Sequence, residues 1–134
     1  MSLHRTTALA AVLGLLPLAS GAWQADNLLT VNPLPNGVFE VIGRPGSAGS
    51  DYWCAAGDYA LRVLGASGTQ RIYITRGRGT PETSDRLQSV QFSLTLPAGV
   101  EPQDGLFLKM KQVGDNLGVA FAQNYCLDRK NLEF

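Results

Sequence analysis

The chain has 134 residues, with 11 basic and 11 acidic side chains and a formal net charge of zero at neutral pH. Such a balance creates no field that would draw nucleic acid or an anionic membrane, so neither is a main partner. The length supports one hydrophobic core and is too short for two comfortable domains.

At the front, the amino terminus and Arg5 precede an apolar run from Ala8 to Ala19, followed by the small residues Ser20, Gly21 and Ala22. This is the layout of a secretory signal peptide, with cleavage expected after Ala22 or, as a near alternative, after Gly21. The competing reading is a membrane anchor. That run is shorter than the roughly 20 residues needed to span and is interrupted by Pro17. No Cys follows it to carry a lipoprotein anchor, and no later stretch is apolar enough for a transmembrane segment. Cleavage would remove Arg5 and leave acids one ahead of bases. The expected organisation is a signal peptide over 1–22, an irregular N-terminal arm over 23–36, a single domain over 37–128 and a C-terminal tail over 129–134.

From Trp23 to Asn36 the chain is rich in Asn and Pro, a turn-forming composition that predicts an irregular lead-in. Val38 to Ile42 is β-branched and aromatic between two glycines, which predicts a strand. After the loop from Arg44 to Gly49, the stretch from Ser50 to Gly65 carries the helical signature. Ser50 or Asp51 can cap its start, and Gly65 can close its end in a left-handed conformation. At about 100° per residue Asp51, Asp58 and Arg62 form a polar stripe opposite Trp53, Ala56, Ala60 and Leu64, with Cys54 at the border. This is expected to be the one long helix.

Gln70 to Arg76 then alternates around Ile72 and Ile74, and Leu87 to Leu96 alternates around Val90, Phe92, Leu94 and Leu96. Both predict half-buried strands. Gly77 to Asp85 and Pro97 to Gly105 read as loops. Leu106 to Val113 and Leu117 to Cys126 are expected to pair as a hairpin about Gly114, Asp115 and Asn116. The expected fold class is α+β, with one helix packed on a mainly antiparallel sheet of about five strands in the order β-α-β-β-β-β and one disulfide.

Candidate chemistry is scarce. The one histidine, His4, lies in the expected leader, so cleavage would leave no imidazole for a triad, a zinc site or a pH switch. Two cysteines, Cys54 and Cys126, in an exported chain predict a disulfide, the alternative being two separate buried thiols. No Cys-x-x-Cys spacing supports a redox pair. Glu40, Asp51 and Asp58 are the acids nearest structured elements, and a carboxylate pair would need two of them across a cleft. Arg76 and Arg78, separated by Gly77, are the candidate anion or partner contact, with pairing to Glu82 or Asp85 as the alternative. Tyr52 and Tyr59 are the candidate aromatic surface, whereas Trp53 is expected in the core. No cofactor or metal is implied.

The leader, Val-Phe-Glu-Val-Ile at Val38–Ile42, Asp-Tyr-Trp-Cys-Ala-Ala at Asp51–Ala56 and Asn-Tyr-Cys at Asn124–Cys126 together resemble small, uncharacterised exported proteins of alphaproteobacteria. The resemblance spans Val38 to Cys126. It implies a bacterial periplasmic or secreted protein and carries over no catalytic residue. The expected function is therefore that of an exported, disulfide-stapled, non-enzymatic protein binding another protein or an envelope component. The alternatives are a small enzyme using carboxylate, Arg and Tyr chemistry, and a structural role in which the arm or a sheet edge pairs with another chain.

Overall fold

A computed structural model describes residues 21–104 and 109–130. Strands β1 (Trp23–Gln24), β2 (Thr30–Pro33), β3 (Val38–Ile42), β4 (Arg71–Gly79), β5 (Ser89–Ser93), β6 (Gln103–Asp104) and β7 (Asp115–Gly118) form one sheet in the order β1-β2-β3-β5-β4-β7-β6. Neighbouring pairs are antiparallel except β6 with β7. Two helices, α1 (Gly49–Arg62) and α2 (Val119–Lys130), complete an α+β fold.

Strand alternation sends Phe39, Val41, Ile72, Ile74, Val90 and Phe92 to one face, and all six are buried. That face meets α1: the Phe92 ring lies 5.1 Å from Trp53, and Phe39 lies 4.7 Å from Tyr59. Burying each of these large apolar side chains contributes on the order of 2 kcal/mol, which makes this layer the main source of stability. Helix α1 begins where Ala48 N–H donates to the Asp51 carboxylate at 2.8 Å while Asp51 N–H donates back to the Ala48 carbonyl at 3.0 Å. It ends as Gly65 adopts φ 65° and Ala66 N–H donates to the Ala60 carbonyl at 2.9 Å, leaving few orphan groups at either terminus.

Three expectations need correction. The segment from Leu117 to Cys126 is not a strand: β7 stops at Gly118 and the chain turns into α2, so α1 has a helical neighbour. Val119, Ala122 and Cys126 recur at three- and four-residue intervals and are buried, a pattern that the overlapping two-residue alternation had masked. The Trp23–Asn36 stretch is not an irregular arm, because its turn-forming residues are the reversals of a hairpin. Leu28 at φ 67° links β1 to β2, and Asn36 and Gly37 at φ 65° and 75° turn β2 into β3. Finally, the expected strand from Leu106 to Val113 lies partly outside the described residues, and residues 109–113 are not strand. There Met110 is buried, and its carbonyl accepts Arg78 N–H at 2.7 Å.

Candidate functional site

The candidate acids and thiols are tied into the fold. Cys54 and Cys126 form a disulfide with an S–S distance of 2.08 Å, joining α1 to α2 rather than to a strand. Asp51 accepts at the start of α1. Asp58 is fully buried and receives Asp26 N–H at 2.9 Å, Arg62 Nε at 2.9 Å and Gln123 Nε2 at 3.4 Å, so it clips together the N-terminal hairpin, α1 and α2.

Glu40 lies on the sheet face away from α1 and is also fully buried. Its oxygens accept Glu82 N–H at 3.0 Å, Thr83 N–H at 3.0 Å, the Thr83 hydroxyl at 2.7 Å and Gln91 Nε2 at 2.8 Å. Burial pushes this carboxyl upward, but the donors outweigh burial and bring its pKa down to about 2. Glu40 therefore stays ionised at neutral pH and holds residues 82–83 against the sheet. The three acids sit in three separate hydrogen-bonded settings and form no pair across a cleft.

Arg76 and Arg78, expected in one loop, lie on the irregular second half of β4, where register shifts break the pairing with β5. These shifts send the two side chains to different surroundings. Arg76 Nη1 pairs with Glu82 Oε1 at 3.2 Å. Arg78 instead places its guanidinium 5.1 Å from the centroid of the Tyr52 ring and lines a pocket of about 270 Å³ with Arg44, Ser47, Leu87 and Gln88. Tyr52 and Tyr59 are only 2% and 5% exposed, so they belong to the core and make no aromatic surface. Burial pushes both hydroxyls up and keeps them protonated at neutral pH; for Tyr52, Arg78 opposes the rise and Asp51 adds to it.

The residue that sequence reasoning missed is Arg44. Strands β3 and β4 both run antiparallel to β5, so they are parallel to each other and their C-terminal ends emerge together. Ile42 and Gly79 flank the same residue, Ser89, about 10 Å apart across the intervening strand. The chain leaving β3 is then held in place. Gly43 N–H donates to the Gln88 carbonyl at 2.8 Å, Arg44 N–H donates to Ser47 Oγ at 2.8 Å, and Ser47 N–H donates to the Arg44 carbonyl at 3.0 Å. Gly43 is needed because a side chain there would overlap the Tyr52 hydroxyl. Arg44 Nη2 donates to the Leu28 carbonyl at 3.2 Å. The pocket is thus lined by two exposed arginine side chains and by Tyr52.

No protein-family model matches this sequence, and no curated protein or solved structure is similar to it. Among the described residues no helix is long and apolar enough to cross a membrane.

Proposed function

We propose that this chain is an exported protein of the periplasm or the extracellular medium that works by binding a protein or envelope component rather than by catalysis. The observation that carries this reading is the Cys54–Cys126 disulfide, since such bonds persist in oxidising compartments and withdraw both thiols from nucleophilic or metal chemistry. Two further features support it. Trp23, the residue that cleavage after Ala22 would expose, opens β1 and packs edge-on against Tyr59 at 5.6 Å, so cleavage there would leave β1 whole. The acids nearest the structured elements, Glu40, Asp51 and Asp58, already serve hydrogen bonds of the fold.

Expression of the full chain in a bacterium, followed by fractionation, intact mass and thiol titration, tests the proposal. The expected product is periplasmic or secreted, shortened by the first 22 residues and devoid of free thiol. A cytosolic chain of full mass with two free thiols would overturn it.

A further inference from the structure

We infer that the pocket at the shared end of β3 and β4 binds a small dianionic oxyanion of the phosphate-monoester class, held by Arg44, Arg78 and the Tyr52 hydroxyl. The inference rests on the binding reading above and names the ligand chemistry it would serve. Both arginines present only donors and carry a permanent charge. Among the described residues the ion pairs within 4 Å are Arg62 with Asp58 and Arg76 with Glu82, so neither Arg44 nor Arg78 has a carboxylate partner. Two positive charges lining one small space match a double negative charge.

Tyr52 supplies a second, independent observation. The residue is 2% exposed overall and lines the pocket; among the described residues the one buried side-chain polar atom without a partner is Thr75 Oγ1, so the Tyr52 hydroxyl reaches the open space of the pocket. A tyrosine hydroxyl that opens onto a pocket lined by two cations is placed to donate to an anion's oxygen.

The donors are also held before any ligand arrives. The Arg78 guanidinium lies over the Tyr52 ring, 5.1 Å from its centroid, its backbone N–H is bonded to Met110, and one Arg44 nitrogen is bonded to Leu28 while the others stay available. Such preorganisation reduces the ordering that binding would otherwise require. A volume of about 270 Å³ admits only a small ligand, and Leu87, 49% exposed, adds an apolar wall suited to the organic part of an ester.

Calorimetric titration of the native, disulfide-bonded protein tests the site with phenyl phosphate, inorganic phosphate, acetate and, as an ionic-strength control, chloride. Saturable binding of both phosphates is expected, with phenyl phosphate tighter. Arg44→Ala and Arg78→Ala should each weaken it by about tenfold or more, and Tyr52→Phe, which keeps the ring beneath Arg78, by several-fold. Arg76→Ala should bind as the native protein does, and thermal melts of each variant establish that it is folded. Binding no stronger than that of chloride, retention of binding in the Arg44→Ala, Arg78→Ala double variant, or acetate as tight as phosphate would each overturn the assignment. None of these outcomes bears on the compartment and thiol measurements, so failure here is distinguishable from failure of the export reading.

Discussion

Glu40 has the form of a candidate catalytic acid and does the work of a structural anchor. A carboxylate with no exposed surface is unfavourable unless its lone pairs are filled, and here two backbone N–H groups, a hydroxyl and an amide fill them. Its pKa, about 2 against an ordinary 4.5, means that the folded state favours the ionised form. The stabilisation is therefore complete once the pH is well above the ordinary 4.5 and is lost as the pH falls through that value towards 2, with a size of about 3 kcal/mol. Urea unfolding of the native protein and Glu40→Gln across this range should show the stability difference between them shrinking as acid is added. A difference independent of pH would mean that Glu40 is not ionised in the fold.

At the level of elements, the contact between α1 and α2 departs most from sequence expectation. The helices run in opposite directions, since Cys54 bonds Cys126 while Asp58 reaches back to Gln123. They pack tightly at Gly57, where a Cβ would lie 2.5 Å from the Gln123 backbone nitrogen and 3.0 Å from the Ala122 Cβ. Glycine inside a helix ordinarily weakens it by about 1 kcal/mol relative to alanine, so Gly57→Ala on an isolated α1 would be stabilising. In this protein the added methyl meets backbone that cannot swing away, and the helices must separate. Gly57→Ala should destabilise by about 1–3 kcal/mol in chemical denaturation, and a gain in stability would show that the two helices are not in contact there.

Across the whole molecule, one crosslink closes a loop of 72 positions and fastens the C-terminal helix to α1. Loop closure of that length restricts the unfolded chain by about 4 kcal/mol in the entropic account. Cys54→Ser and Cys126→Ser remove the same bond and should destabilise by similar amounts, within about 1 kcal/mol of each other by equilibrium unfolding. A larger gap would assign one of the cysteines a role beyond the crosslink.

Local patterns were enough to place several elements. The β-branched run Val38–Ile42 is β3 over the same residues, Gly65 closes α1, Phe92 and Val90 face the helix, and the two cysteines pair, whereas the N-cap of α1 is Ala48, with the expected cap Asp51 inside the first turn and reaching back to it. Each depends on neighbours in the chain or, for the thiols, on a count that leaves one partner. The conformation of residues 119–130 was decided by tertiary structure. Their spacing suits both a strand and a helix, and only the narrow surface offered by Gly57 and Cys54 selects the helix. The Arg44–Arg78 pocket was likewise invisible. Its two walls lie 34 positions apart, and they converge because β5 intervenes between two strands that must then run the same way. Periodicity reports what a segment does with its own backbone, whereas a site built across strands exists only once the strand order is settled.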